Sequence, residues 1–192
     1  PFEPLEDHLL GVGPFGRGSA LLLFRQGGMV QHLVHGLKFE DQIRFGPWLG
    51  RWAVSALNSV EHPTWTAVVP IPLHPIRHMQ RGYNQLDGFC RTLARGLGVA
   101  YWPQAMRKRT TWALLFGAQS GRSKRARLKR QINPFFLPPI TRKKLAGRPW
   151  LRILLVDDVV TTGATLRHAL EAWAEIPGVV VDVYTISVGR DY

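Results

Sequence analysis

The chain has 192 residues, of which 45% are apolar and 20% are charged, and its formal net charge is +12 at pH 7. This length suits one substantial core, since domains usually contain about 100–200 residues, and the apolar fraction excludes a wholly disordered chain. The sequence has no run of about 18 consecutive apolar residues, so we expect no membrane insertion. Its first residues, Pro1 to Pro4, lack the basic and apolar stretches of a signal peptide, which predicts a cytoplasmic protein.

The first half of the chain predicts an irregular start followed by alternating strands and helices. Residues 1–18 are rich in Gly, Pro and acidic residues, which predicts an irregular lead-in ahead of a single domain over 19–192. The elements predicted next are a strand over Ser19–Arg25, a helix over Met29–Leu37, a helix that begins at Pro47 and a strand over Trp65–Ile71. Trp48 and Trp52 fall on the apolar stripe of the second helix, so we expect them to be buried.

The second half predicts further helices and strands on either side of a long basic segment. The elements predicted there are a loop over Pro72–Gly82, a helix over Asn84–Leu97 with Gly98 as its C-cap, a strand over Leu151–Val156, a helix over Gly163–Glu175 and a strand over Val179–Val188. Residues 107–148 are the least structured by pattern and are expected to form a flexible basic loop. The alternation favours an α/β fold with a mainly parallel central sheet and helices on both of its faces.

The charge is concentrated in one part of the chain. Between Asp87 and Asp157 there is no Asp or Glu, whereas sixteen of the 25 Lys and Arg residues lie there. Such a block indicates an anionic partner or substrate, and the alternative is a solvated basic surface. The single cysteine, Cys90, cannot form an internal disulfide or a multi-cysteine zinc site, and we expect it to be a buried apolar residue.

One stretch has the composition of a ligand site. Ile153 to Val156 predicts a buried strand, and Asp157 and Asp158 follow at its C-terminal end, where open parallel sheets bind ligands. The segment from Thr161 to Thr165 then supplies hydroxyl groups, a glycine and the start of a helix, which together suit a phosphate group. Because two carboxylates repel a phosphate, we expect them to face ribose hydroxyls or a Mg²⁺ ion. The alternative is an ordinary strand–turn–helix with an Asp pair on the surface.

This stretch resembles the phosphoribosyl pyrophosphate (PRPP) signature of type I phosphoribosyltransferases. The resemblance implies that Asp157 and Asp158 act as catalytic residues on the ribose and hold Mg²⁺, directly or through water. It implies a 5′-phosphate site formed by Thr161, Thr162, Gly163, Ala164 and Thr165. The implied architecture is the type I phosphoribosyltransferase-like α/β fold.

A second stretch narrows the resemblance. Val68 to Pro75 combines an apolar strand with a proline-rich turn, and Arg81-Gly82-Tyr83-Asn84-Gln85 then opens a helix. This pattern, together with His35 to Phe39 upstream, is similar to the ComF family of competence-associated proteins. The likeness extends from about Ala20 to Val188.

In phosphoribosyltransferases the loop after this strand binds pyrophosphate. The resemblance therefore implies that the backbone amides of Leu73 and His74 meet the diphosphate. Arg77 and Arg81 would join them, because the planar guanidinium group suits oxyanions. A solvated loop is the alternative for the two arginines, and an ordinary surface histidine is the alternative for His74 and for His78.

The sequence departs from the ComF pattern in two ways. ComF proteins typically begin with a four-cysteine zinc ribbon, which this sequence does not contain, so we expect Mg²⁺ but no zinc in this chain. The flexible loop of the family carries a Thr and a Gln close together, whereas an apparent insertion here separates Thr110 and Thr111 from Gln119. Chemistry that depends on this loop therefore stays open.

Two functions from different classes follow. The first is a phosphoribosyltransferase that binds PRPP, or another ribose 5-phosphate compound, with Mg²⁺ and transfers the phosphoribosyl group to an unidentified acceptor in a process linked to competence. The second is a non-catalytic accessory protein of DNA uptake that binds single-stranded DNA or RNA. The contacts expected for it are Arg125, Arg127, Lys129 and Arg130, with Trp102, Trp112 and Phe116 as stacking residues. The competence link also implies partners among the proteins of the competence machinery.

Overall fold

The computed structural model describes residues 5–24, 45–76, 79, 82–109 and 133–189. The helices among them are α1 (Glu6–Leu9), α2 (Phe45–Asn58), α3 (Asp87–Gly96), α4 (Pro139–Leu145) and α5 (Ala164–Trp173). The strands are β1 (Phe15–Phe24), β2 (Ala67–Pro70), β3 (Ala100–Tyr101), β4 (Arg107–Lys108), β5 (Phe135–Phe136), β6 (Leu151–Val160) and β7 (Val179–Gly189). The predicted helix over Met29–Leu37 lies outside the described residues.

Five strands form one parallel sheet in the order β1-β7-β6-β2-β3. The two central strands are apolar along most of their length, and Val181 to Val188 are all buried. Parallel strands covered on both faces have this near-continuous apolar pattern. The predicted α/β class with a mainly parallel sheet is therefore confirmed, and helices pack around it.

The structure corrects the prediction for the face of α2. Its buried residues include Gly46, Gly50 and Ala53, whereas Trp48 and Trp52 are 48% and 45% exposed. A Cβ atom on Gly50 would lie 2.9 Å from the backbone oxygen of Phe89 in α3, so the glycine side of the helix is the side that approaches α3 closely. That close packing turns both indole rings outward.

Two other parts of the chain also differ from the sequence pattern. Strand β6 runs four residues beyond Val156, because β7 continues to pair with it as far as Val160. Within residues 107–148, strands β4 and β5 pair as an antiparallel ribbon, and Pro139 at the first position of α4 suits a helix start. Residues 110–132, between the two ribbon strands, lie outside the described part of the chain.

A buried carboxylate connects several strands of the sheet near the beginning of β6 and β7. Asp182 on β7 accepts hydrogen bonds from Arg152 Nε and Trp65 Nε1, both at 2.7 Å. It also accepts hydrogen bonds from Arg152 Nη2 and the backbone N–H of Arg17, both at 2.9 Å. The charge is thus fully bonded, and it connects β1, β6, β7 and the segment before β2.

Replacing Asp182 should therefore be costly. We expect Asp182→Ala to lower the free energy of unfolding by about 3–5 kcal/mol, because Arg152 would keep its charge without a buried partner. Glu175→Ala is the control, since Glu175 and Arg142 form an ion pair whose side chains are both about half exposed. That change should alter stability by less than about 1 kcal/mol in urea unfolding. Equal losses in the two variants would contradict this role of Asp182.

Candidate functional site

The acid pair lies where β6 loses one of its two neighbours. Strand β2 pairs with β6 only as far as Val156, and the last bond of this ladder joins Ile71 N–H to the Val156 oxygen at 2.8 Å. Asp157 and Asp158 follow directly, in the part of β6 that still runs beside β7. The chain that leaves β2 therefore begins beside the two carboxylates, at the carboxyl edge where open parallel sheets bind ligands.

The two carboxylates have different surroundings. Asp157 is only 7% exposed, which is less than expected for a residue at a ligand edge, and its Oδ1 accepts the backbone N–H of Asp158 at 2.9 Å. Burial raises the pKa of the Asp157 carboxyl well above its ordinary value, and the adjacent Asp158 charge raises it further. Asp157 therefore favours its neutral form more strongly than an exposed aspartate does.

Asp158 is held from two sides. Its Oδ1 accepts the backbone N–H of Val159, and its Oδ2 accepts Nε2 of Gln85, both at 2.8 Å. Gln85 belongs to the turn that precedes α3, so this bond joins the start of α3 to the end of the central strand. Both bonds fix the orientation of the Asp158 side chain.

Asn84 is the anchor of that turn. Its side chain is buried, its Nδ2 donates to the backbone oxygen of Ile71 at 3.1 Å, and its Oδ1 accepts the backbone N–H of Leu86 at 3.1 Å. The two bonds close the loop that begins after β2. They also place the neighbouring Gln85 within reach of Asp158.

The segment between β6 and α5 has the geometry expected of a phosphate loop. Gly163 is buried and has φ of +71°, a left-handed conformation that side chains other than glycine rarely adopt. It precedes Ala164, the first residue of α5, and no side chain caps this helix start. Thr161, Thr162 and Thr165 are exposed around it. Hydroxyl groups and the amide end of a helix therefore face solvent immediately after the acid pair.

The proline-rich loop adjoins a cavity of about 490 Å³. Pro72 and Leu73 line one side of it, and Arg107 and Lys108 of β4 line another. His74 lies in the same loop, where its Nδ1 accepts the backbone N–H of Ile76 at 3.3 Å. The structure thus brings Leu73 and His74 to the edge of the sheet that carries the acid pair.

Two further residues, Lys108 and Gln85, lie near the acid pair, and the sequence pattern assigned neither of them to the site. Lys108 lies near enough to Asp157 for its charge to lower the pKa of that carboxyl, opposing the effect of burial. In the sequence Lys108 is one cation of a basic cluster, and nothing distinguishes it from its neighbours. Gln85 belongs to the quoted ComF pattern, but the pattern assigns it no role.

Several predicted site residues lie outside the described part of the chain. They are Arg77, His78 and Arg81 of the proline-rich loop and Arg125, Arg127, Lys129 and Arg130 of the basic segment. Within the described residues, no group of three or more His, Cys, Asp or Glu side chains could hold a metal ion. None of the helices described there has the length and apolar content that a membrane span requires.

Comparison with known proteins supports the resemblance found in the sequence. No protein-family model matches the chain. It is 32% identical over 160 residues to the DNA utilization protein YhgH of Salmonella typhi, an alignment that covers 80% of this chain and 65% of that protein. It is 30% identical over 170 residues to competence protein F of Haemophilus influenzae, covering 86% and 66%. The chain belongs to the ComF family.

A more distant ComF relative agrees with this assignment. The chain is 32% identical over 123 residues to competence protein ComFC of Streptococcus pneumoniae, covering 64% of this chain and 47% of that protein. The chain spans 65% and 66% of the first two relatives, somewhat less than two thirds of their lengths.

The burial of Asp157 predicts a distinct pH dependence of stability. A carboxyl whose pKa is raised by folding binds its proton more tightly in the folded chain. The free energy of unfolding therefore falls as pH rises above about 4, the unfolded pKa, towards the folded pKa. Asp157→Asn has no such charge, so the unliganded variant should gain stability relative to the parent as the pH rises above about 4. Urea unfolding at several pH values measures this difference, and a constant difference across the range would contradict it.

Proposed function

We propose that this ComF chain binds PRPP, or another ribose 5-phosphate compound, at the carboxyl edge of its central sheet. The observation that carries the proposal is the juxtaposition of three parts: the acid pair at the end of β6, the glycine turn at the start of α5 and the proline-rich loop after β2. Each part suits one portion of such a ligand. All three begin within a few residues of the Val156–Ile71 hydrogen bond.

The phosphate loop would take the 5′-phosphate. The residues concerned are Thr161, Thr162, Gly163, Ala164 and Thr165. Their hydroxyl groups and the amides at the start of α5 are donors, and the positive end of the helix dipole favours the negative charge. A side chain on Gly163 would both strain the backbone and fill the approach to the amides.

The acid pair would recognise the sugar. The oriented Asp158 carboxylate can accept hydrogen bonds from ribose hydroxyls. Asp157, which favours its neutral form, would limit the negative charge placed near the phosphates. The amides of Leu73 and His74, with Arg77 and Arg81, would take the diphosphate at the other end of the ligand.

Magnesium would accompany the diphosphate. Mg²⁺ usually keeps several waters and binds one or two carboxylates together with substrate phosphates, so it needs no site made of protein groups alone. Asp158 is the better protein ligand of the pair, because Asp157 is buried and favours its neutral form. When bound, the ion would neutralise charge on the departing diphosphate.

The reaction proposed for this site is phosphoribosyl transfer. A nucleophile of the acceptor forms a bond to the anomeric carbon of PRPP, and the bond from that carbon to the diphosphate breaks. Pyrophosphate leaves with the bonding electrons. The protein positions the two reactants and excludes water from the anomeric carbon.

The names of the relatives refer to DNA utilization and competence, and we extend to this chain a role in DNA uptake. The second candidate is therefore a non-catalytic protein that binds single-stranded nucleic acid and retains the phosphoribosyltransferase-like fold. The long acid-free basic stretch of the sequence favours this candidate.

Thermal denaturation with PRPP and Mg²⁺ tests the phosphate loop. Thr165→Val keeps the shape of the side chain and removes one donor, which should weaken PRPP binding by about tenfold, since hydrogen bonds to charged groups contribute about 1.5–3 kcal/mol. Thr64→Val is the matched control, because Thr64 is also exposed but lies in the loop before β2. An unchanged PRPP-induced rise in the melting temperature of the Thr165 variant would remove this residue from the site.

The acid pair can be tested in the same assay. Asp158→Asn should abolish the Mg²⁺-dependent part of the stabilisation by PRPP, and Gln85→Leu should reduce it by leaving the carboxylate without its side-chain donor. Glu175→Gln is the control for the loss of one carboxylate charge, since Glu175 lies on the surface after α5. If this control reduced the response as much as Asp158→Asn does, net charge rather than the site would be responsible.

A further inference from the structure

A second groove lies on the far side of β4. It has a volume of about 590 Å³ and runs between the segment from Tyr101 to Arg107 and helix α4. Its apolar floor contains Trp102, Ala105 and Leu145. It shares Pro103, Gln104 and Arg107 with the cavity beside the proline-rich loop, so the two spaces are neighbours.

The groove carries positive charge without a compensating acid. Arg107, Lys144 and Arg148 line it and are exposed, and no Asp or Glu is among its described lining residues. The guanidinium carbon of Arg148 lies 5.9 Å from the centre of the Trp102 ring. A cation next to an aromatic face is a combination that can bind a phosphate and stack a base in adjacent positions.

Large apolar side chains are exposed in the groove and close to its lining residues in the chain. Ile140 lines the groove and is 63% exposed, and Trp150, two residues after Arg148, is 89% exposed. An indole ring this exposed contributes little to folding. An exposed aromatic ring suits the face of an unpaired base, whereas the bases of a duplex are already stacked.

We propose that the groove between β4 and α4 binds single-stranded nucleic acid. Phosphates lie on Arg107, Lys144 and Arg148, and bases contact Trp102 and Ile140. Charge complementarity alone would also admit an acidic peptide, but the apolar and aromatic floor favours a ligand that has flat faces between its charges. The inference rests on the DNA-linked part of the proposed function and is independent of PRPP binding.

Fluorescence anisotropy with a labelled oligothymidylate tests this site. Each phosphate contact on a single strand contributes about 0.7 to the slope of log affinity against log salt, so the Lys144→Gln, Arg148→Gln double variant should flatten the slope by about 1.4. Arg142→Gln is the matched control on the same helix, because Arg142 is paired with Glu175 at 3.2 Å and does not line the groove. It should leave the slope unchanged.

The stacking contact has its own variant. Trp102→Leu should weaken oligothymidylate binding about fivefold or more at constant salt, because a base that stacks on an aromatic ring loses that contact. Trp102 is half-buried, so a cooperative thermal transition must accompany the measurement. The double variant, which changes only exposed side chains, tests the groove even if the Trp102 variant does not fold.

Three results would overturn the inference. The first is no saturable binding of oligothymidylate by the parent at about 0.15 M salt. The second is a salt slope that falls equally in the Arg142 control. The third is competition by polyglutamate as effective as competition by the oligonucleotide, which would indicate an acidic protein partner. Loss of the PRPP-induced thermal shift in the parent, with DNA binding as expected, would reject the PRPP proposal and leave this one supported.

Discussion

The hydrogen bond from Ile71 N–H to the Val156 oxygen determines where the candidate site can form. It is the last hydrogen bond between β2 and the central strand β6, and the residue types in both strands change immediately after it. Strand β6 continues with the two aspartates, where only β7 runs beside it. Strand β2 ends there, and the chain turns away as the proline-rich loop. Asn84 then returns this loop to Ile71. Because the chain is pinned at both ends of the loop, the loop and the acid pair keep a common edge.

The two aspartates of the acid pair have different surroundings, although their side chains are identical. Asp157 is buried, and the loss of hydration favours its neutral form, whereas Asp158 is partly exposed and has donors on both oxygens. Lys108 opposes the effect of burial, because its positive charge lowers the pKa of the Asp157 carboxyl.

The sequence predicted the sheet and the acid–glycine segment because both depend on local patterns. Apolar runs identify β2, β6 and β7, and the Gly163 turn lies between a strand and a helix as expected. The orientation of Trp48 and Trp52 could not be predicted in this way, since it depends on the contact of Gly50 with α3. The bond between Gln85 and Asp158 joins residues 73 positions apart, and neither residue's neighbours in the chain indicate it.

Strand β4 borders both the proposed sugar-phosphate site and the proposed nucleic-acid groove. Arg107 lines both the cavity beside the proline-rich loop and the groove beside α4, and the adjacent Lys108 lies near Asp157. The buried Met106 and Ala105 fix the start of this strand, and its pairing with β5 fixes its direction. The same short ribbon therefore places basic side chains at both of the proposed binding sites.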